Sequence, residues 1–336
     1  MNRPFPSTAP AGNQSGCWTG PFGHGSAASL VNPGGSWFRG LREKRWCYMG
    51  IFHEDLILGC AVVHLGYITS AFVFVCDRQQ HRFIEKTAIL PPLGFTRFSL
   101  TPETGVCSFR APGLTLDQTL DLPHACAIRT QIFTSGRTLE AEIQLAASAS
   151  VSPVHCLLPM AGQDRAFTTK AAGLRARGRV KFKSKTIDLG KNRATGILDW
   201  THGIYPRTTR WNWACATGND IQGRRLGVNF SQHLYIHGQD ENIIWVDGTP
   251  FPAGPVTFFM DRELPLRPWR ILGRNRCIDL TFVPEGLRRA HDNLGIAASR
   301  FIQPWGTFTG TLQPQGHPAM TLDSAVGVVE DHFARW

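Results

Sequence analysis

The 336-residue chain lacks the signatures of several large functional classes. It contains no P-loop, no GxSxG nucleophile elbow, no HExxH zinc motif and no GxGxxG turn between a strand and a helix. It has no CxxC pair, no zinc-finger spacing and no RNP-type motif. Its 12 histidines are scattered rather than grouped at ligand spacing. We therefore expect no metal, no cofactor and no nucleic-acid partner.

Charge is also sparse. Charged residues make up 18% of the chain, against about 25% in an average soluble domain. Basic residues exceed acidic ones by 35 to 25, which gives a formal net charge of +10. With nucleic acid set aside, this balance leaves an anionic small molecule or an anionic membrane surface as partners.

Helical periodicity is absent over any long segment. Short apolar runs bounded by Gly, Pro, Asn or Asp recur instead, a pattern typical of an all-β barrel or sandwich with few short helices. The stretch LILGCAVVHLGYITSAFV, residues 56–73, approaches the length of a membrane span. His64 and the turn-forming LGY divide it, so it predicts two buried strands. Residues 1–36 are rich in Gly and Pro and predict an irregular arm.

The nine cysteines form no recognisable disulfide framework. Their number is odd, and the first residues, MNRPFPSTAPAGNQSG, contain no apolar segment of the kind found in signal peptides. We therefore expect reduced, mostly buried thiols and a cytoplasmic protein.

Four short matches in the same order suggest an internal repeat. Three have offsets of about 165 to 170 residues and the last has a shorter one. The pairs are RWCY 45–48 with RWNW 210–213, LGCAV 58–62 with LGVNF 226–230, FVFVCD 72–77 with IIWVD 243–247, and GRTLEAEIQL 136–145 with NRCIDLTFVP 275–284. The matches predict two copies of one β unit, with a boundary near residues 165–178.

A basic stripe occupies every second position of one segment. Its members are Arg175, Arg177, Arg179, Lys181, Lys183 and Lys185. A period of two places all of them on one face of a strand. That face is either a solvated outer surface, where charge blocks edge pairing, or a surface that attracts an anionic ligand or membrane.

Titratable and aromatic residues concentrate in the segment DWTHGIYPRTTRWNWACATG, residues 199–218. A carboxylic acid in an apolar cavity can stay protonated and act as a general acid. Asp199, His202 and Tyr205 are candidates for that role. Strand alternation places Trp211 and Trp213 together on one face, where indole rings can stabilise a carbocation.

A structural interpretation of the same segment stays open. Asp199 can cap an Asx turn, or it can pair with Arg207 or Arg210 and remain ionised. Other polar residues stand beside apolar strands. Glu241 and Asn229 are candidates for ligand contact, and His64 fits either a ligand contact or a satisfied core histidine.

The chain resembles domain-of-unknown-function family 2804 (DUF2804) from about residue 40 to residue 336. The motifs that carry the resemblance are KRWCY, HLGYITSAFVFVCDR, LDWTHGIYPRTTRWNWACATG, LGVNFS, ENIIWVDG, FIQPWGTFTGTL and GVVEDHFARW. His202 stands where the family's turn motif usually has a basic residue after DWT or DWS. The family is similar, more distantly, to tandem lipocalin-like proteins that include carotenoid 1,2-hydratases, tocopherol cyclases and fungal Diels–Alderases.

The resemblance implies an all-β fold of two lipocalin-like antiparallel barrels. We expect the arm at residues 1–36, one barrel at 37–172 and a second at 173–336. It also implies an apolar cavity for a polyene or isoprenoid, but it transfers no catalytic residue.

The leading hypothesis is a cofactor-independent lyase or isomerase, of hydratase or cyclase type, that acts on a hydrophobic unsaturated substrate inside a β-barrel. Asp199, His202 and Tyr205 would supply acid catalysis. The residues expected to contact substrate are Trp200, Arg207, Arg210, Trp211, Trp213, His64, Asn229 and Glu241. The alternative is a carrier of a hydrophobic molecule without catalysis. A weaker third hypothesis is membrane-surface contact through Arg175–Lys185.

Overall fold

The computed structural model describes residues 5–11, 14–32, 37–122, 124–146, 151–162, 164–182, 185–190, 194–236, 238–293 and 298–336. Helix in these residues is limited to α1 (Ala28–Val31), α2 (Trp37–Gly40) and a 3-10 turn at Arg274–Arg276. The rest of the regular structure is strand, which confirms the all-β prediction.

The first sheet contains fourteen antiparallel strands. They are β1 (Gly16–Trp18), β2 (Glu43–Phe52), β3 (Leu56–His64), β4 (Thr69–Asp77), β5 (Arg82–Leu90), β6 (Thr96–Arg97), β7 (Thr104–Ala111), β8 (Leu114–Asp121), β9 (Ala125–Thr134), β10 (Arg137–Ala146), β11 (Val154–Pro159), β12 (Arg165–Phe182), β13 (Lys185–Asp188) and β14 (Thr195–Ile204). Its main path runs β5-β4-β3-β2-β14-β12-β10-β9-β8-β7-β6. Because β5 also lies against β8 and β9, the sheet curls around its own core.

The second sheet contains nine antiparallel strands. They are β15 (Thr208–Asn219), β16 (Arg225–Gln232), β17 (Ile243–Val246), β18 (Thr249–Pro252), β19 (Val256–Phe259), β20 (Trp269–Gly273), β21 (Ile278–Asn293), β22 (Ala298–Leu312) and β23 (Met320–Arg335). Its order is β18-β17-β16-β15-β23-β22-β21-β20-β19, and β16 contacts β19. The two curled sheets form the tandem lipocalin-like architecture that the resemblance implies.

The two sheets repeat the same strand order, as the sequence matches predict. The meander β2–β3–β4 corresponds to the meander β15–β16–β17. In each sheet, the first strand of the meander also pairs with the last strand of that sheet in chain order: β2 pairs with β14, and β15 pairs with β23. Beyond them, β12 and β10 occupy the places of β22 and β21. The weaker fourth match, which links β10 to β21, therefore joins strands at equivalent places.

The chain changes sheets between Ile204 and Thr208, later than the expected boundary at residues 172 and 173. The reason is that β12 and β14 complete the first sheet, in which β14 pairs with β2 and β12 pairs with β10. The part of β12 from Gly173 onward, together with β13 and β14, thus hydrogen-bonds in the N-terminal sheet, although the sequence analysis placed these strands in the C-terminal barrel. The assignment of domains stays a prediction.

Alternation along β15 divides the core. Trp213 and Cys215 pack into the larger hydrophobic cluster, which fills the first barrel and extends across the junction of the two sheets. Ala214 and Ala216 pack into the core of the second sheet. The sheets are also joined by charge, since Arg78 pairs with Glu285 at 2.6 Å and Arg288 pairs with Glu85 at 2.7 Å. Apolar burial supplies most of the cohesion, and the ion pairs fix how the sheets meet.

The basic stripe forms an outer face of β12. Arg175, Arg177, Arg179 and Lys181 are exposed, and the residues that alternate with them are mostly buried. Acidic residues on β10 lie opposite, with Glu142 across from Arg179 and Glu140 across from Lys181. The stripe is therefore a solvated face whose charge is partly balanced by its neighbour strand. Lys183 lies outside the described residues. The prediction that one strand carries the whole stripe is wrong for Lys185, because it begins β13, where its Nζ lies 3.2 Å from Asp77 Oδ2.

The expectation that every cysteine is reduced is wrong for one pair. Cys17 on β1 and Cys156 on β11 stand opposite each other and form a disulfide that spans 139 residues of sequence. Strand pairing between the N-terminal arm and β11 brings the two cysteines together, and their spacing in the sequence does not predict this pairing. The other seven cysteines are free, and all except Cys277 are buried, as expected.

The apolar stretch at residues 56–73 is two strands, β3 and the first part of β4, in agreement with the sequence analysis. Across the described residues, no helix has the length and apolar character needed to cross a membrane.

The double substitution Cys17→Ser/Cys156→Ser should lower the free energy of unfolding by about 2–4 kcal/mol, because it frees a long loop in the unfolded chain. Urea denaturation without reductant measures the change. Cys277→Ser is the matched control, since it removes an unpaired thiol and should cost under about 1 kcal/mol. Nine titratable thiols in denatured, unreduced protein, rather than seven, would contradict the pairing.

Candidate functional site

A cavity of about 270 Å³ lies between the two sheets. Strands β2 to β5, β12 and β14 supply one wall, and β15, β16 and β21 to β23 supply the other. Eight of the lining side chains are tryptophan, tyrosine or phenylalanine: Trp46, Tyr48, Tyr67, Phe72, Trp211, Trp213, Phe301 and Trp336. The sequence-based hypothesis placed the cavity inside a barrel, whereas the structure places it where the two curled sheets meet.

A buried ion cluster forms one polar end of this cavity. Lys170 on β12 stands directly across from Asp199 on β14, and its Nζ lies 2.7 Å from Asp199 Oδ2. The same Nζ lies 3.3 Å from Oε1 of Glu241, which follows β16 in the second half of the chain. Glu241 Oε2 accepts a hydrogen bond of 2.8 Å from the hydroxyl of Tyr235. One ammonium is therefore shared by two carboxylates.

The cluster shifts the protonation of its members. Burial disfavours the charged form of Lys170, but Asp199 and Glu241 outweigh that effect and raise the pKa of the lysine. Burial raises the pKa of Glu241 and the charge of Asp199 adds to it, while Lys170 and Tyr235 act in the opposite direction. Because two acids compete for one cation, Glu241 is the member that takes up a proton more readily than an ordinary glutamate.

Asp199 does not have the surroundings of a protonated acid. Its carboxylate accepts hydrogen bonds from Trp46 Nε1 at 3.3 Å and from Thr201 Oγ1 at 3.1 Å, in addition to the contact with Lys170. All three contacts are donors to the carboxylate, the pattern of an ionised acid. Its ion-pair partner is Lys170, which the sequence analysis did not consider.

A second polar cluster lies on the opposite wall around Glu330 of β23. Its Oε1 accepts hydrogen bonds from Trp211 Nε1 at 2.9 Å and from His332 Nδ1, which lies 3.2 Å away. Its Oε2 accepts one from Gln303 Nε2 at 3.0 Å. The other ring nitrogen of His332, Nε2, lies 2.8 Å from Ser299 Oγ. Glu330, His332, Gln303 and Ser299 all line the cavity.

The two clusters are related by the internal repeat. Asp199 stands across from Tyr48 of the RWCY segment, and Glu330 stands across from Trp213 of the RWNW segment. Each acid accepts an indole N–H from the strand beside it, Trp46 in one sheet and Trp211 in the other. Each also takes a second donor from the strand on its other side, Lys170 or Gln303. Both copies face one shared cavity.

Four residues that the sequence analysis named line the cavity: Asp199, Trp211, Trp213 and Glu241. Asn229 lies directly behind two of them. Its Oδ1 accepts the indole N–H of Trp213 at 2.9 Å, and its Nδ2 donates to the backbone carbonyl of Glu241 at 2.9 Å. Asn229 is therefore placed to position the tryptophan and the acid rather than to contact a ligand.

His202 and Trp200 lie away from the cavity, because strand alternation turns them to the opposite face of β14 from Asp199. His202 is buried, with its Nε2 3.1 Å from Glu43 Oε2, and burial lowers the pKa of this imidazole despite the nearby carboxylate. Trp200 is fully buried and donates its indole N–H to Ser99 Oγ at 2.8 Å. The hypothesis that these two residues serve the site is not supported by their positions.

Tyr205 packs behind the cavity wall against Trp46, with ring centroids 5.3 Å apart, and burial raises the pKa of its hydroxyl. Arg207 is exposed just beyond the end of β14. Arg210 faces Asp331, 3.6 Å away, on the side of β15 opposite to the tryptophans. His64 accepts the backbone N–H of Gly66 at 3.1 Å, a structural contact at the end of β3. None of these four side chains lines the cavity.

Sequence reasoning missed Lys170, Trp46, Ser299, Glu330 and His332. Two signals were available. Lys170 is a lone cation between the apolar and hydroxyl residues of AFTTKAAGL, and Glu330 and His332 belong to the motif GVVEDHFARW. Ser299 carries no signal, because its significance depends only on the pairing of β22 with β23.

The fold and the cavity define a tandem lipocalin-like β protein with its candidate site between two repeats. The chain belongs to the family described as domain of unknown function (DUF2804), which matches residues 13–336. No curated protein matches it in sequence.

Similar folds occur among solved structures. A Nitrosomonas europaea protein assigned as AttH aligns with a TM-score of 0.51 at 15% identity and covers 86% of this chain and 92% of its own. CghA with Sch210972 aligns with a TM-score of 0.52 at 9% identity and covers 87% and 88%. Kievitone hydratase from Nectria haematococca aligns with a TM-score of 0.48 at 11% identity and covers 93% and 92%. At these identities the first two show a shared fold.

Lys170→Met should lower the free energy of unfolding at neutral pH by about 3–5 kcal/mol, because it leaves two buried carboxylates without a cation. The deficit should shrink as pH falls, since the pKa of each unpaired buried acid is raised above its unfolded value and the folded state then gains protons. Urea denaturation at several pH values measures both effects.

Lys181→Met is the control, because Lys181 is exposed and lies 4.0 Å from Glu140. It should change stability by no more than about 0.5 kcal/mol. Equal effects for the two lysines would contradict the assignment of Lys170 to a buried ion cluster.

Proposed function

We propose that this protein is a cofactor-independent lyase or isomerase, of hydratase or cyclase type, that acts on a hydrophobic unsaturated small molecule in the cavity between the sheets. The observation that carries the proposal is the Lys170 ammonium shared by Asp199 and Glu241 at the edge of an aromatic cavity. Such a cluster keeps a transferable proton beside an apolar substrate.

Glu241 is the proposed acid, in place of Asp199. Its carboxyl is buried, its pKa is raised, and it faces the cavity. Asp199 serves as the counter-ion that holds Lys170 in place. In this scheme Glu241 protonates an alkene carbon, and Lys170 stabilises the carboxylate that forms. The cation then either loses a neighbouring proton to the Glu241 carboxylate or adds water, whose extra proton passes to the same carboxylate and restores the acid.

The walls suit a cationic intermediate and a ligand that carries oxygen. The indoles of Trp46, Trp211 and Trp213 offer π faces to developing positive charge. Polar side chains also line the cavity, including Ser70, Thr87 and Ser231. A substrate with hydroxyl or carbonyl groups on an apolar frame would hydrogen-bond with them. CghA, whose fold is similar, is seen with the small molecule Sch210972, which is in keeping with a small-molecule ligand here.

The second candidate function is a carrier that binds such a molecule without changing it. The observation that favours it is Arg288, whose guanidinium covers the ring of Phe72 at 3.9 Å and occupies cavity wall next to Phe301. This cation suits an anionic ligand better than a carbocation. Native mass spectrometry of the purified protein separates the two functions, since a carrier returns the ligand unchanged and a hydratase returns it altered by one water.

Membrane contact through the basic stripe stays a prediction. The facing Glu140 and Glu142 weaken the attraction of an anionic membrane for the exposed residues Arg175, Arg177, Arg179 and Lys181. Cytoplasmic location also stays a prediction, and the Cys17–Cys156 disulfide is more typical of an oxidising environment.

Glu241→Gln should lower turnover of an isoprenoid or polyene substrate by about 10²–10⁴-fold, the usual contribution of a general acid. Activity of the wild type should fall as pH rises through the raised pKa of Glu241, because the acid must be protonated. A panel of such alkenes, followed by mass spectrometry for a gain of water or an isomer, provides the assay.

Glu263→Gln, which changes an exposed glutamate, is the control and should leave turnover unaltered. Asp199→Asn should change the pH profile through Lys170 and Glu241. Undiminished turnover in Glu241→Gln would remove this residue from the chemistry.

A further inference from the structure

Ser299, His332 and Glu330 form a continuous hydrogen-bonded chain on the wall opposite Lys170. Ser299 Oγ lies 2.8 Å from His332 Nε2, and His332 Nδ1 lies 3.2 Å from Glu330 Oε1. Neighbouring strands hold the three residues: Ser299 is on β22, and the other two share one face of β23. A hydroxyl, a base and an orienting acid within hydrogen-bond reach are the arrangement that activates a nucleophile.

The contacts of Glu330 fix the direction of the chain. Its carboxylate also accepts the N–H groups of Trp211 and Gln303, so all its contacts are with donors. The Nδ1 of His332 must therefore carry its hydrogen toward Glu330, which leaves the lone pair of Nε2 for the hydroxyl of Ser299. This is the tautomer in which a histidine can take the proton of a serine.

We propose that Ser299 is a nucleophile for acyl transfer from esters whose acyl or leaving group is hydrophobic and aromatic. His332 Nε2 removes the Ser299 proton while Oγ bonds to the acyl carbon, and the proton then passes to the leaving oxygen as the ester C–O bond breaks. Water, deprotonated by the same nitrogen, hydrolyses the acyl-serine and restores the chain. Glu330 is a positioning residue, because it acts through His332.

The surrounding cavity matches that substrate class. Trp211 packs against His332 with a tilted ring and centroids 4.1 Å apart, and Phe301 lies 5.2 Å from the same imidazole. The wall also includes Arg335, whose cationic side chain is of the kind that stabilises an oxyanion. This inference does not depend on the acid chemistry of Glu241, since it uses different residues on a different wall.

A fluorophosphonate probe tests the proposal on the full-length protein without knowledge of the natural substrate. We expect one adduct, mapped to Ser299 by peptide mass spectrometry, and none in Ser299→Ala. His332→Gln should slow labelling by on the order of 10²-fold or more. Ser324→Ala is the control, because Ser324 is exposed and does not line the cavity, and its labelling rate should equal that of the wild type. No adduct, or an adduct on another residue, would overturn the proposal.

A second pair of variants keeps the test decisive if one of them fails to fold. Glu330→Gln should slow labelling of Ser299, because an amide holds His332 less firmly in the tautomer that accepts the serine proton. Glu330→Asp should restore part of the rate, because it keeps a carboxylate acceptor, and circular dichroism checks that each variant is folded. An unchanged labelling rate in folded Glu330→Gln, or no recovery in folded Glu330→Asp, would contradict the chain.

Discussion

The buried ammonium of Lys170 is the interaction on which the rest of the site depends. It comes from β12 of the first sheet, binds Asp199 on the neighbouring strand and reaches Glu241 in the second half of the chain. Removing the cation is costly because it leaves two buried carboxylates without a counter-charge. The strand order that places β12 beside β14 is therefore tied to the chemistry at the junction of the sheets, and the same contact fixes where Glu241 stands relative to the aromatic wall.

Duplication explains why the cavity has chemistry at both ends. Each repeat contributes an acid that accepts an indole N–H, and the two copies have diverged in the second donor, a lysine in one and a glutamine in the other. In the first copy, the ammonium of Lys170 is shared by two acids. In the second copy, the donor is the uncharged Gln303, and Glu330 orients His332. One repeated arrangement thus gives two different polar clusters within a single apolar cavity.

Period and turn residues were enough to predict an all-β chain and the placement of Trp211 and Trp213 on one face of a strand, and four short sequence matches predicted a repeated β unit. They could not predict which strands become neighbours, because pairing of β14 with β2 joins residues about 150 positions apart. For that reason Lys170 and Trp46 escaped notice beside Asp199. The same limit applies to His202: its nearness to Asp199 in sequence suggested a shared role, yet alternation along β14 turns it toward Glu43.

The ion pairs that join the sheets keep part of their charge in contact with solvent. Arg78 with Glu285 and Arg288 with Glu85 lie across the seam, and both glutamates are partly exposed. Salt screens the exposed part of such pairs. The larger hydrophobic cluster also crosses the seam, because Trp213, Trp245 and Trp305 of the second sheet pack into it, and salt does not weaken those contacts. Raising the ionic strength should therefore leave the two sheets joined.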